Sequence, residues 1–344
     1  MYKIVVDCFG GDNSPVANVN GAIQAINADQ GFSVILVGDT DKINECLANL
    51  QYDKSRVEIV DAKEVISCDE QPTEAIKKKS ESSMVKSFAE LKGGADALVS
   101  IGSTGALLVG SVLKIGRIKG VSRPALAPVL PTLSGGQVVL LDAGANADCK
   151  SVNLLHFALM GSVYASEVLK IKNPKVALLS NGTEDAKGNE LTKEVNAILR
   201  NCDQINFIGN VEAREILSGE CDVVVTDGFS GNIALKSMEG VAGAVFGKMK
   251  EEVNKSFKAK IGALLMKKAL RAVKNTLDYN KKGGAVFLGV CKIIIKSHGS
   301  SKDSAVCAAI LQAKSACEGN VVQAIKDKIT LISQSVSQVE EISQ

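Results

Sequence analysis

The sequence predicts a three-layer α/β/α fold built around a largely parallel sheet. Short apolar runs that stop at Gly, Asp or Ser alternate along the 344 residues with longer stretches of helical spacing, and this alternation is typical of βαβ units. The runs are apolar at successive positions, as in strands that helices cover on both faces. Apolar residues make up 46% of the chain, aromatic residues only 4%, and Trp is absent. We therefore expect a core of Val, Ile, Leu and Ala.

Each predicted element follows from this pattern in chain order. The strands are 3–7, 34–37, 57–60, 97–100, 137–141, 175–179 and 221–226. The helices are 16–28, 81–92, 104–115, 151–169, 187–200 and 302–317. A further apolar run covers 286–295. The polar, Ser- and Gln-rich residues from Ile325 onward form either a terminal helix or a frayed tail.

No internal repeat, low-complexity tract or Ser/Pro-rich linker divides the chain. Residues 1–344 are therefore expected to form a single domain, either as one unit or as two interlocked lobes. The nine cysteines are scattered without a Cys-x-x-Cys pair, and there are only two histidines, so we expect neither a metal nor another cofactor. A formal charge of +2 does not favour nucleic-acid binding. The sequence shows neither a secretory signal nor a membrane-spanning run, which favours the cytoplasm.

One stretch, residues 248–282, departs from this charge balance and is called the basic segment below. It holds eleven Lys or Arg and three acidic residues, a net charge of +8 that leaves −6 for the rest of the chain. Its apolar residues recur at helical spacing, and Gly262 predicts a break between two helices, hence a projecting hairpin. An anionic membrane or an acidic carrier protein would be attracted to such a surface. Packing against the body or a second subunit is the alternative. The expected contact residues are Phe257, Ile261, Leu264, Leu265, Lys267 and Lys268.

Five loops rich in Gly and Asn follow predicted strands. They cover 7–13, 100–105, 142–146, 180–189 and 226–232. Ligands bind at the carboxyl ends of parallel strands, and amide N–H groups at helix starts bind anions, so phosphate or a developing oxyanion is the expected guest. The alternative is that Gly and Asn only serve the strand-to-helix turns. The sequence contains no Gly-x-Gly-x-x-Gly, no complete Walker motif and no Gly-x-Ser-x-Gly, which weakens dehydrogenase, nucleotide hydrolase and serine hydrolase interpretations.

The two histidines differ in context. His298 follows the apolar run 286–295 among small residues, where it is placed either for proton exchange or for binding substrate. His156 lies among Leu154, Leu155 and Phe157, which indicates a core histidine.

Many motifs in order resemble the phosphate:acyl-ACP acyltransferases of bacterial phospholipid synthesis, the PlsX family. They run from residue 4 to about residue 310. They are VVDCFGGDNSP (5–15), LVGD (36–39), SSM (82–84), STGALL (103–108), KGVSRPA (119–125), LLDAGAN (140–146), FALMGSVYA (157–165), KGN (187–189), FIGNVEAR (207–214), VVTDGFSGNIALKSMEG (224–240), GGA (283–285) and SHGSS (297–301). The sequence departs from the family pattern at Cys8-Phe9, at Ser103 and at 180–183, where Ala-Met, Asn and Asn-Ile-Gly-Glu are usual.

This resemblance implies a homodimer with a Rossmann-like α/β/α architecture related to isocitrate and isopropylmalate dehydrogenases and to phosphate acetyltransferases. It implies that acyl-ACP and inorganic phosphate react to acyl phosphate and free ACP. The product would pass to a membrane-bound glycerol-3-phosphate acyltransferase, and the enzyme would associate peripherally with the inner face of the membrane. The alternatives are a phosphate acetyltransferase acting on short acyl-CoA and a non-catalytic scaffold that recruits lipid-synthesis proteins to the membrane.

The matching motifs suggest a role for each candidate residue. Lys187 and the 102–105 loop would bind phosphate, and Asn232 with the first amides of its helix would face the oxyanion. His298 would orient phosphate or protonate the leaving sulfur, supported by Asp227 or Asn146. The expected phosphate- and oxyanion-binding residues are Gly102, Thr104, Gly105, Gly144, Asn146, Gly182, Ser230 and Gly231. An acyl-enzyme on Cys8 is a disfavoured alternative.

Overall fold

One continuous sheet organises the fold. In the computed structural model, which describes residues 1–270, 273 and 283–342 and their side chains as far as residue 331, eleven strands lie in the order β3-β2-β1-β4-β11-β10-β5-β6-β9-β7-β8. They are β1 (Tyr2–Asp7), β2 (Phe32–Gly38), β3 (Val57–Asp61), β4 (Ala97–Ser100), β5 (Ala125–Pro131), β6 (Gln137–Leu141), β7 (Lys175–Ser180), β8 (Asn206–Glu212), β9 (Val223–Val225), β10 (Ala285–Leu288) and β11 (Ile293–Lys296).

Helices cover both faces of this sheet. They are α1 (Val16–Ala28), α2 (Thr40–Leu47), α3 (Pro72–Lys78), α4 (Ser83–Gly93), α5 (Thr104–Gly110), α6 (Ser151–Glu167), α7 (Glu190–Arg200), α8 (Gly228–Lys255), α9 (Phe257–Leu265), α10 (Asp303–Glu318) and α11 (Val321–Ile342). A π-helical turn, Ser111–Ile115, continues α5, and two 3₁₀ turns cover Lys54–Arg56 and Ala213–Glu215. All seven predicted strands and six predicted helices are confirmed within a few residues.

The sheet reverses direction in the middle. Strands β3, β2, β1, β4 and β11 are parallel to one another, and so are β6, β9, β7 and β8. Between these groups, β11–β10, β10–β5 and β5–β6 are antiparallel pairs. Three successive reversals point the second group opposite to the first. The strands that precede the five loops therefore do not all run in one direction, because β1 and β4 run opposite to β6, β7 and β9.

The strands are apolar at successive positions because helices cover both faces of the sheet, as the sequence indicated. In β1, Ile4 and Val6 belong to a core cluster with α1 and α10, while Val5 faces the opposite cluster with α4. Successive side chains of a strand point to opposite faces, so a strand covered on both sides must be apolar throughout. Gly21 allows α1 and α10 to cross closely, because a Cβ there would lie 2.6 Å from the carbonyl oxygen of Asp303.

The basic segment differs from its prediction in one respect. The helix break lies at Ser256, whose backbone is extended and whose hydroxyl caps α9 by accepting from the Ala259 amide. Gly262 lies inside α9, so the predicted break there is wrong. A serine N-cap begins a helix, whereas one glycine inside a helix costs only about 1 kcal/mol. Residues 271–272 and 274–282, including Leu277, lie outside the described residues. At the C-terminus, the terminal-helix alternative is confirmed as far as Ile342.

Candidate active site

A pocket of about 310 Å³ lies over β5 and β10, where the two halves of the sheet meet. Its walls come from the loops after β4 and β6, the first turns of α8 and the end of β11. The polar and glycine residues that line it are Thr104, Gly144, Asn232, Lys236, Glu239, Gly283, Gly284, Lys296, Ser297 and His298. The structure thus brings together four of the predicted site residues, namely Thr104, Gly144, Asn232 and His298.

The end of β11 supplies two nitrogen groups to this pocket. Lys296 is its last residue, pairs with Ser100 of β4 and is only 9% exposed. The pKa of Lys296 is lowered to about 8, chiefly by burial; the neighbouring Lys236 also lowers it, while Cys68 and Asp7 raise it. The Lys296 ammonium donates to the carbonyl oxygen of Ser297.

His298 is held in one tautomer. The amide N–H of Ser300 donates to its Nδ1 at 3.2 Å, so the neutral ring carries its proton on Nε2. Partial burial lowers the pKa of His298, and so do Lys236 and Lys296, while Glu239 and Asp12 oppose them. At neutral pH the imidazole is therefore uncharged and has a single N–H to donate.

Asp142 organises the loop after β6. Its Oδ1 accepts from the amides of Leu126, Gly144 and Ala145 at 2.9, 3.2 and 3.0 Å, and its Oδ2 accepts from the Asn146 amide at 2.6 Å. The Asn146 side-chain amide donates to Asp142 and to the Pro124 carbonyl. Burial raises the pKa of Asp142, and these donors oppose that change. The N–H groups of Gly144 and Asn146, which were predicted to bind an anion, thus form hydrogen bonds that hold the loop in shape.

The start of α8 is tied to the same loop. Asp227 caps the helix by accepting from the Ser230 amide at 2.8 Å and from its hydroxyl at 2.9 Å. Gly228 and Gly231 pack directly on the backbone of residues 142–146, where a Cβ would clash. The Gly231 amide donates to the Asp227 carbonyl. The Ser230 and Gly231 amides, expected to face an oxyanion, are engaged in this cap, while the Asn232 side chain lines the pocket.

The loop after β4 contributes one group. The Gly102 amide donates to Ser100 Oγ at 3.1 Å, and that hydroxyl donates to the buried Asp7 at 2.8 Å. Gly105 faces Pro72 of α3. Ser103, which departs from the family pattern, caps α5 by accepting from the Ala106 amide. Only Thr104 of this loop lines the pocket.

Lys187 and Gly182 lie elsewhere. They pack on each other beside a second cavity of about 1310 Å³, whose polar end is formed by Ser180, Gly188, Asn189, Asp227 and Ser230 and whose apolar wall is α8. Residues 230, 233, 234 and 237 of α8 line this second cavity, and residues 232, 235, 236 and 239 line the pocket. The helix separates the two, so the structure does not bring Lys187 to the 102–105 loop.

Two further candidate groups, Cys8 and His156, lie outside the pocket. Cys8 is fully buried, and burial raises the pKa of its thiol well above the ordinary value, which disfavours an acyl-enzyme on this residue. His156 Nδ1 lies 2.9 Å from Ser122 Oγ, and burial lowers its pKa. His156 is half-buried and its ring nitrogen has a partner, so it is satisfied, as expected, but not fully inside the core.

The predicted contact residues on the basic segment are exposed. In α9, Phe257, Ile261, Leu264 and Leu265 are 79%, 46%, 67% and 82% exposed, and Lys267 and Lys268 after it are exposed as well. Among the described residues, no helix is both long and apolar enough to cross a membrane. The same part of the chain holds no group of three His, Cys, Asp or Glu side chains placed for a metal ion.

Comparison with known proteins gives this pocket its context. A family model described as "Fatty acid synthesis protein" matches residues 2–324. A phosphate acyltransferase of Clostridium novyi is 48% identical over 328 residues, which are 95% of this chain and 98% of that protein. A phosphate acyltransferase of Bacillus pumilus is 46% identical over 328 residues, 95% of this chain and 97% of its own. The chain belongs to the phosphate acyltransferase family.

Solved structures show the same fold at low identity. EutD phosphotransacetylase from Staphylococcus aureus aligns with a TM-score of 0.60 at 18% identity, covering 92% of this chain and 94% of that one. A phosphotransacetylase from Streptococcus pyogenes aligns at 0.57 and 17%, covering 94% of each. The predicted α/β/α architecture is confirmed. As a phosphate acyltransferase family member, the chain is an enzyme that carries out phosphate acyl transfer, so the scaffold alternative is wrong.

The sequence interpretation missed Lys296, Lys236 and Glu239, which line the pocket over β5 and β10. Lys296 directly precedes the Ser-His-Gly-Ser-Ser motif and ends an apolar run, and a charged residue at the end of a buried strand was the available signal. The Lys236–Glu239 ion pair, 2.8 Å long, resembles any exposed helical pair in the sequence.

Proposed function

We propose that the enzyme transfers a long-chain acyl group from the thioester of acyl carrier protein to inorganic phosphate in the pocket at the sheet junction. The observation that carries the proposal is the convergence there of two lysines, an asparagine, a threonine and a neutral histidine. These are cations and donors suited to a phosphate and to the oxyanion of a thioester addition.

The chemistry needs no covalent enzyme intermediate. A phosphate oxygen attacks the thioester carbonyl carbon, the oxyanion forms and collapses, and the carbon–sulfur bond breaks. The proton of hydrogen phosphate passes overall to the leaving sulfur, so acyl phosphate and free carrier thiol result. Positioning and oxyanion donors supply the acceleration, and one lost donor typically costs about 10²–10³ in rate.

His298 and Asn232 take donor roles in this scheme. A neutral imidazole that protonated the sulfur would become an imidazolate, which is unfavourable. The Nε2–H of His298 therefore orients phosphate, the first of its two expected roles. Asn232, which lies beside Gly144, donates its side-chain N–H to the oxyanion.

The basic segment presents the exposed surface through which the enzyme would contact a membrane or a partner protein. Its exposed apolar residues in α9 lie beside lysines, a combination that binds anionic lipid surfaces. We propose peripheral attachment to the inner face of the membrane, where acyl phosphate passes to a glycerol-3-phosphate acyltransferase. An acidic carrier protein is the alternative occupant of the same surface.

A direct assay tests the reaction and separates it from its rival. Purified enzyme is incubated with phosphate and either palmitoyl-ACP or acetyl-CoA, and acyl phosphate is trapped with hydroxylamine while free thiol is measured. We expect product from palmitoyl-ACP in equal amounts of hydroxamate and thiol. Product from acetyl-CoA alone would identify a short-chain phosphate acetyltransferase instead.

A further inference from the structure

We propose that Lys296 is a catalytic residue of this enzyme, whose buried ammonium binds the phosphate substrate. The inference rests on the proposed function and names the cation at its centre. Lys296 is the last residue of β11, between β4 and β10, and it lines the pocket together with Thr104 and His298. A strand in the middle of a sheet holds its last side chain more rigidly than a loop does.

Among the described residues, the charge on Lys296 has no counter-charge, because no carboxylate lies within ion-pair distance of its ammonium, which donates to the Ser297 carbonyl. A buried charge without a counter-charge is costly, and an anion in the pocket would remove that cost.

The surrounding groups make this a site for an anion. Asp7, at the end of β1, is occupied by the Ser100 hydroxyl, and burial raises its pKa, which weakens it as a counter-charge. From α8, Lys236 faces the same pocket, and its charge is shared with Glu239 at 2.8 Å. Cys68, near Lys296, and His298, on the same segment, complete the titratable neighbours. Two ammonium groups and a neutral histidine thus line the pocket. The carboxylate that lines it, Glu239, is already paired with Lys236.

The position of Lys296 also predicts how phosphate binding responds to pH. Burial lowers its pKa to about 8, so the ammonium form predominates below this pH and is lost above it. If the ammonium form binds phosphate, the phosphate KM rises by roughly tenfold per pH unit above that pKa. The second ionisation of phosphate is common to all variants and cancels when their KM values are compared.

Three variants test the inference. K296M removes the charge, K296R keeps it with a group that does not titrate in this range, and K292M is the matched control. Lys292 lies in the turn before β11, donates to the Ala95 carbonyl at 2.8 Å and does not line the pocket. Steady-state kinetics at varied phosphate and saturating acyl donor are measured from pH 6.5 to 9.5, with thermal melting as a check of folding.

We expect K296M to raise the phosphate KM at least tenfold and to leave the acyl-donor KM within about twofold. K296R should bind phosphate without the alkaline rise, and K292M should behave as the wild type. An unchanged phosphate KM in K296M, or the same alkaline rise in K296R as in the wild type, overturns the inference.

Calorimetric titration with phosphate alone distinguishes a failure of this inference from a failure of the proposed function. Wild-type enzyme that binds phosphate but forms no acyl phosphate from any donor overturns the function and leaves Lys296 to be judged by binding. Loss of phosphate binding in K296M, with K296R retaining it, supports the inference. Equal binding by all variants overturns it.

Discussion

Several backbone amides that are candidate anion donors instead hydrogen-bond within the protein. The amides of Gly102, Gly144, Ser230 and Gly231 each donate to an oxygen of the protein. These N–H groups are already hydrogen-bonded within the loops. We therefore expect side chains to bind the substrates in the pocket, while the amides fix the loops that present them.

The variant N232A tests whether a side chain, rather than a backbone amide, stabilises the oxyanion. Its side chain is exposed in the pocket and supports no part of the core, so N232A should fold normally. We expect kcat to fall by about 10²–10³, the usual cost of one lost oxyanion donor. Single-turnover rates at saturating substrates measure this, and S237A, on the opposite side of α8, is the control. A wild-type rate for N232A excludes Asn232 as an oxyanion donor.

Lys187 is the second residue to test, because the resemblance places it in phosphate binding while the fold places it beside the larger cavity. Within the described residues it forms no ion pair, and it lies with Gly188 and Asn189 near the cap of α8. We expect K187A to raise the phosphate KM or abolish turnover. The exposed Lys193 of α7 gives the control K193A. Normal phosphate kinetics in K187A would remove Lys187 from the mechanism.

Helix α8 both packs on the loop after β6 and separates two cavities. Its glycine-rich first turn seats on the loop that Asp142 shapes, and its two faces line separate cavities. Beyond the body, it continues to Lys255 and leads into α9, where no side chain is buried. The pocket over β5 and β10 and the basic segment are therefore joined by one helix.

The apolar surface of α9 yields a prediction. L264E/L265E should release the enzyme from vesicles that contain anionic lipid, because it replaces apolar contact with like-charge repulsion. Turnover of acyl-ACP in solution should stay unchanged. Flotation with vesicles and the hydroxylamine assay measure the two effects. L113E/L133E, at exposed leucines elsewhere, is the matched control.

The opposite result would also be informative. If L264E/L265E keeps its fold and vesicle binding but loses turnover with acyl-ACP, α9 is a docking surface for the carrier protein and the membrane proposal is wrong.

For the whole molecule, the exposed face of α8 suggests how two chains associate. Ile233, Val241 and Val245 are 50%, 64% and 57% exposed along the large cavity. Contiguous apolar surfaces of this kind are usually covered by a partner. We propose that the chain forms a homodimer in which a second copy covers this face.

The dimer proposal is checked by mass in solution. V241E/V245E should convert a dimer to a monomer in size-exclusion chromatography with light scattering, because the glutamates would lose hydration at the interface. V16E/V152E, at exposed valines elsewhere, should remain dimeric. A dimer that survives V241E/V245E places the interface on another surface.

The sequence by itself determined the elements and the family. Runs such as Ile4–Val6 are apolar at every position because both faces of the strand are covered, and this local pattern needs no knowledge of neighbouring strands. The ordered motifs and the charge of the basic segment are likewise local. The helix break at Ser256 was missed because a serine cap and a tolerated interior glycine both occur within one polar stretch.

Only the tertiary structure decided which residues meet. The three antiparallel pairings around β10 and β5 join the two halves of the sheet, and the pocket at this junction brings Thr104, Asn232 and His298 together. Lys187 lies beside the cavity on the other side of α8. The same pairings bury Lys296 at the junction. Strand direction and order depend on contacts between residues far apart in the chain, whereas hydrophobic periodicity records only whether a position is buried.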